Sequence, residues 1–424
     1  MNIHIKNGRL IDPRNQIDAQ LDVFIADKHV AAIGKAPQGF VAGQVIDADG
    51  LIVIPGLVDV AARLREPGYE YKATLESEMD AAMAGGVTSL ACPPDTDPPL
   101  DEPGLVEMLK HRARSLNQAR VFPVGALTYG LKGEELTEMI ELTEAGCKAF
   151  SQADALLTDT RVLMRAMQYA ATFGYRVWLR PQDAFLAKDG VAHDGEVATR
   201  FGLPAIPVVA ETIALSTMLQ LARETGVKLH VCRISSAEGV EMVRVAKSQG
   251  LAVTCDVSMN HVHLTEMDIG FFDSNCHLMP PLRSLRDKAA LRQGLLDGTI
   301  DAICSNHSPV DEDAKLLPFA EAEAGATGME LLLPLVLKWA EEDKVSLSDA
   351  LARVTTNPAQ LLGVKVGHLS VGAHADVCIF DPAAAWKVEP SALKSQGKNT
   401  PFNGYTMQGR VRHSIVEGHL AYSI

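Results

Sequence analysis

Apolar and polar positions follow one texture at both ends of the chain and another in its middle. Over 1–54, short apolar runs alternate with turn residues: Ile3-His4-Ile5-Lys6-Asn7-Gly8, then Leu21-Asp22-Val23-Phe24-Ile25, then Gln44-Val45-Ile46-Asp47-Ala48-Asp49-Gly50. Such runs predict antiparallel strands joined by tight turns. Residues 366–424 repeat the texture, with Ala375-Asp376-Val377-Cys378-Ile379-Phe380-Asp381 and Val411-Arg412-His413-Ser414-Ile415-Val416-Glu417-Gly418. Two β-rich ends predict one small β-sandwich domain formed by both termini, 1–54 with 366–424, around a different domain at 55–365.

The middle alternates short apolar strands with amphipathic helical stretches such as Glu238 to Gln249 and Asp287 to Asp297. Eight strands are expected: Leu57 to Ala61, Thr88 to Cys92, Val121 to Ala126, Cys147 to Phe150, Val177 to Leu179, Lys228 to Cys232, Ala252 to Cys255 and Ala302 to Cys304. Eight strand-helix repeats over this length predict an α/β fold, a (β/α)8 TIM barrel. An open doubly wound sheet fits less well, because no Gly-rich dinucleotide fingerprint follows the first strand. In such barrels the chemistry sits just after each strand, so those residues matter most.

Composition narrows the function classes. The 424 residues are 47% hydrophobic and 22% charged, ordinary for a globular protein of one large and one small domain. A formal charge of −14 argues against nucleic acid or an acidic membrane surface as partner, since both select basic faces. The seven cysteines are scattered without a C-x-x-C pair, which predicts small buried hydrophobes rather than a disulfide framework. The first residues show no basic region followed by an apolar stretch, and no apolar run elsewhere spans a bilayer, so a cytoplasmic location is expected.

After the first strand the chain reads Asp59-Val60-Ala61-Ala62-Arg63-Leu64-Arg65-Glu66-Pro67-Gly68. This resembles the dihydroorotase signature of two His flanking a short apolar spacer before Leu-Arg-Glu-Pro-Gly. The resemblance extends over nearly the whole chain. It continues through Cys92-Pro93-Pro94-Asp95-Thr96-Asp97-Pro98, Pro280-Pro281-Leu282-Arg283, Ser305-Asn306-His307-Ser308-Pro309, Thr355-Thr356-Asn357-Pro358-Ala359 and Gly397-Lys398-Asn399-Thr400-Pro401-Phe402. Several distant motifs in order are far more specific than one short match.

The resemblance implies a binuclear metal centre with two His after strand one, a bridging Asp or carbamylated Lys after strand four, His after strands five and six, and a catalytic Asp after strand eight. At those positions stand Ala61 and Arg63, then Lys148 or Gln152, then Arg180, Arg233 and Asn306. A methyl group has no lone pair and a guanidinium is a permanent cation without an acceptor, so neither binds a divalent ion. The Asn306 amide cannot take a proton from a metal-bound water. Among the positions implied to bind substrate, Arg65 matches the carboxylate-binding Arg. Its partner Asn appears as Asp95, and the substrate-facing Asn before Pro-Pro-Leu-Arg as Met279.

The remaining polar residues have bland readings beside sharper ones. Without His ligands Lys148 is expected to be a plain ammonium, since a metal must hold a carbamate. His261 and His263, with His277 and His307 possible neighbours, offer a relocated metal site against the simpler reading of ordinary buried positions. His230 reads as a satisfied buried imidazole. Arg63, Arg180 and Arg233 are expected to converge where the metals would lie. They either pair with carboxylates such as Asp59, Asp95 or Asp183, or form an anion pocket. The loop from Asp311 to Gly328 reads as a solvated acidic surface, and Leu331 to Trp339 as core or subunit interface.

Together these readings predict a catalytically silent dihydroorotase homologue, not an enzyme, with no metal and no cofactor. The resemblance implies a non-catalytic dihydroorotase-like chain of bacterial pyrimidine biosynthesis. Such a chain would hold aspartate transcarbamoylase catalytic chains in a dodecamer, six chains of each kind. Two alternatives remain open: a metabolite-sensing regulatory subunit using the Arg-rich pocket, and a metal-independent amidohydrolase built on Arg65 and the Arg cluster.

Overall fold

The computed structural model describes residues 2–424. Eight parallel strands form the barrel in chain order: β1 Leu57–Asp59, β2 Val87–Cys92, β3 Arg120–Ala126, β4 Ala149–Ser151, β5 Arg176–Leu179, β6 Lys228–Val231, β7 Val253–Ser258 and β8 Ala302–Cys304. Every residue of β2 is buried, as expected for a strand covered on both faces. The predicted helices also form, and side-chain caps set where they begin. Ser236 caps Ala237–Ser248 by accepting from the Gly239 N–H, and Ser284 with Asp287 makes a capping box for Leu285–Leu296.

The barrel closes between β8 and β1 beyond the ends of the strands. At the mouth, Ala62 and His307 form a parallel bridge, with Arg63 N–H donating to His307 O at 2.9 Å and His307 N–H to Ala61 O at 3.1 Å. At the floor, Val58 donates to Val354 O (2.8 Å) and Ile303 to Arg353 O (3.0 Å), so the segment before helix Thr356–Leu362 fills the gap. Buried Asp59 ties the two ends together, accepting from the Ala61 and Ser305 amides and from the Ser305 hydroxyl.

Two further sheets are built from the ends of the chain. A four-stranded sheet runs His29–Ile33, Val23–Ala26, Ile3–Lys6, Gln44–Asp47. A six-stranded sheet runs His419–Ser423, Thr406–Val416, Val377–Lys387, Ile52–Pro55, Arg9–Asp12, Ile17–Gln20. Ile3, Ile5, Leu10, Val53, Val377 and Ile415 share the small core between them. Helix Leu332–Glu342 packs on strand Thr406–Val416, so the apolar stretch at Leu331 to Trp339 is core between barrel and sheet. Among the described residues, no helix is long and apolar enough to cross a membrane.

The loop at 311–328 departs from the solvated surface expected of it. Glu312 and Asp313 are exposed, but Phe319, Ala322 and Ala326 are buried, and Glu323 reaches back to the mouth.

Candidate functional site

Four strand ends enter the mouth through left-handed backbone at non-glycine residues: Arg65 (φ 62°), Ala153 (φ 51°), Arg233 (φ 54°) and Asn306 (φ 50°). This conformation is unfavourable for side-chain-bearing residues and persists only where the surroundings enforce it. Here it turns the chain sharply after β1, β4, β6 and β8.

Arg63, Arg180 and Arg233 do converge, and they meet on one carboxylate, Asp154. Arg63 Nη2 lies 2.6 Å from Asp154 Oδ2, while Arg180 Nε and Arg233 Nη2 lie 2.7 and 2.6 Å from Oδ1. Most of the remaining donors are also engaged. Arg63 Nε donates to Asp95 (2.7 Å) and its Nη1 to Ser308 Oγ (3.0 Å), Arg180 donates to Gln182, and Arg233 Nη1 donates to Asn306 Oδ1 (3.1 Å). The three arginines hold Asp154 well below the usual carboxylate range despite the desolvation that opposes it.

Asp154 corrects the pairing expected from sequence. Asp95 does pair with Arg63, but Asp59 is committed to Ser305, and Asp183 accepts from the Phe185 and Leu186 amides in its own turn. Burial pushes Asp59 up, away from the behaviour of a carboxylate paired to arginine.

Lys148 is the second correction. Strand β4 starts at Ala149, so Lys148 is exposed at the floor of the barrel, at the end opposite the arginines. Gln152 follows β4 and takes the mouth position. It is buried and donates to Thr128 Oγ1 at 2.7 Å, while its Oε1 has no partner. Ala61 stands beside the bridge that closes the barrel and contributes only main-chain bonds and a methyl.

The positions implied to bind substrate are occupied by the protein itself. Arg65 Nε donates to Pro309 O at 2.8 Å, and its Nη2 lies 3.9 Å from Glu323, which also takes Lys72 at 2.6 Å. Asp95 is bound to Arg63. The Met279 side chain packs beside Ala187, Ile206 and Ala210, and its carbonyl accepts from Asn306 Nδ2 at 3.5 Å.

The histidines do not gather. His261 Nε2 meets Pro281 O (3.1 Å), His263 Nε2 meets Leu335 O (2.9 Å), His277 stacks on Phe319, and His307 pairs with Glu78 at 2.5 Å. Burial pushes His261, His263 and His277 down to about 4. Among the described residues, His230, Cys232 and Asp256 are the one trio of such side chains close enough to share an ion. Two of the three are tied into a hydrogen-bond network, and burial pushes the third, the Cys232 thiol, up. His230 bonds Asp256 Oδ2 and Thr254, while Asp256 Oδ1 accepts from the Arg233 amide and the Cys304 thiol.

A parallel barrel with its site at the strand ends and sheets made from both termini defines the amidohydrolase class. The fold matches L-hydantoinase (dihydropyrimidinase) from Arthrobacter aurescens with a TM-score of 0.89 at 25% identity, over 99% of this chain and 96% of that one. The Dihydro-orotase-like profile matches residues 50–239 and the Amidohydrolase family profile residues 325–422. Over 422 residues the chain is 44% identical to a dihydroorotase-like protein of Pseudomonas aeruginosa, covering 100% of both. It is 42% identical over 425 residues to a dihydroorotase of Geobacter sp., covering 100% of this chain and 99% of that one. The chain belongs to the dihydroorotase-like family of amidohydrolases.

The metal centre implied by the resemblance does not fit the residues present. Where imidazole and carboxylate ligands are needed stand a methyl, three guanidiniums and two neutral carboxamides, and Asp154 is already shared among three cations. A divalent ion placed there would meet fixed positive charge on three sides.

Proposed function

We propose that this chain is a catalytically silent dihydroorotase homologue whose role is architectural. It would hold aspartate transcarbamoylase catalytic chains in a larger assembly, six chains of each kind. The observation that carries this reading is the Arg63-Arg180-Arg233 grip on Asp154, which puts a cross-linked ion cluster where hydrolysis would need two metals and a free base. The cluster ties the loops after β1, β4, β5 and β6 together, so the mouth keeps its shape without an ion.

Exposed apolar side chains near the mouth favour a protein partner over a free monomer. Phe271 is 96% exposed and Leu316 76%, on neighbouring loops joined by the Ser274 hydroxyl donating to Lys315 O. Large side chains left in water in this way mark contact surfaces. The sensing alternative has less support, because the mouth arginines already have partners within the protein.

Mixing the purified chain with transcarbamoylase catalytic chains from the same cell tests the role. Light scattering is expected to show a complex of both chains in equal numbers, with transcarbamoylase activity rising on assembly. Separate elution with unchanged activity would overturn it.

A further inference from the structure

A second concave site lies at the opposite end of the barrel, between its floor and the terminal sheets. A cavity of about 480 Å³ is lined there by Lys28, Lys110, Arg114, Arg120, Lys148 and Glu417, with Val121 and Phe122 among its apolar walls. Glu417 and Asp376 account for two of the cations: Arg120 lies 2.6 Å from Asp376, and Lys28 lies 3.1 Å from Glu417. No carboxylate among the described residues pairs with Lys110, Arg114 or Lys148.

Three cations without an ion pair around one cavity are unexpected in a chain of charge −14, with Glu107 the acid near enough to favour the Lys110 charge. Their crowding has a physical signature, because burial together with Arg114 and Lys148 pushes the Lys110 ammonium down. The local backbone accommodates this ammonium. Lys110 Nζ donates to Ala145 O at 2.6 Å over Gly146, where a Cβ would come within 1.9 Å of it. Mutual repulsion of this kind costs stability unless an anion offsets it.

We propose that this floor cavity binds a phosphate-bearing small molecule, with Lys110, Arg114 and Lys148 on the phosphate oxygens and the Val121–Phe122 wall against its apolar part. Lysine and arginine together suit a multiply charged phosphate, and the volume lies within the range of small-molecule sites. Lys148 thereby has a role unrelated to carbamylation. The site is independent of whether the mouth is silent.

Calorimetric titration in magnesium-free buffer with ATP, tripolyphosphate and adenosine tests the proposal. The titrations are run on the wild type, on Arg114→Ala/Lys148→Ala, and on the charge-matched control Lys188→Ala/Lys344→Ala. Saturable ATP binding is expected, weakened about tenfold or more in the first variant and unchanged in the control. Equal binding of tripolyphosphate assigns the contact to phosphates alone, and tighter binding of ATP assigns the wall a share; both uphold the site. No saturable binding of ATP or tripolyphosphate, adenosine binding as well as ATP, or ATP binding indifferent to the first variant would overturn it.

Discussion

Asp154 is the residue on which the mouth depends. Replacing it by Asn leaves three buried guanidiniums facing one another. That should cost about 3 kcal/mol, the low end for breaking a buried ion pair, because the Asp154 side chain is 34% exposed and partly screened. The checking measurement is the thermal midpoint at neutral pH, expected to fall by several degrees. Since the folded-state pKa of Asp154 is depressed, its contribution is fully present above the unfolded value of about 3.9 and is lost as pH falls through the lower folded value. The gap between wild type and Asp154→Asn should therefore narrow in acid.

Restoring two ligands is a complementary residue-level test. The double variant Ala61→His with Arg63→His should hydrolyse no dihydroorotate above the buffer rate even with added zinc. Arg180, Arg233 and Asn306 still deny the remaining donors and the base, and ligands act as a unit. Turnover by that variant would mean that the later strand ends matter less than their geometry indicates.

At the scale of elements, the short helix Met259–His263 and the segment around His277 hold three histidines neutral. His261, His263 and His277 are pushed down to about 4, while an unfolded chain protonates them near 6.5. Their depressed values mean stability present above about pH 6.5 and lost as pH falls toward about 4. The thermal midpoint should drop between about pH 7.5 and about pH 5, and His263→Gln should flatten part of that slope.

The eight barrel strands were legible because each is a short apolar run between helical repeats. The ends of those strands were less so. Placing the fourth at Cys147 to Phe150 rather than Ala149–Ser151 left Lys148 open as a mouth residue, and the shift put it at the floor. Asp154 went unread because it lies in an unpatterned loop and its three partners come from distant strands. A signal did exist: arginines converging from three strand ends require a carboxylate, and the loop after β4 supplies one.

Across the whole molecule, the amidohydrolase fold is kept, and at its mouth three guanidiniums close on Asp154; the proposed silence rests on that cluster. The left-handed turns at Arg65, Arg233 and Asn306 carry side chains that bond to Pro309 O, to Asp154 and to Met279 O, tying the loops together. The most direct test is the zinc content of the purified chain, measured together with dihydroorotate ring opening under added zinc. Silence of the mouth predicts less than one ion per chain and no turnover above buffer. Two bound ions with turnover abolished by a chelator would contradict it.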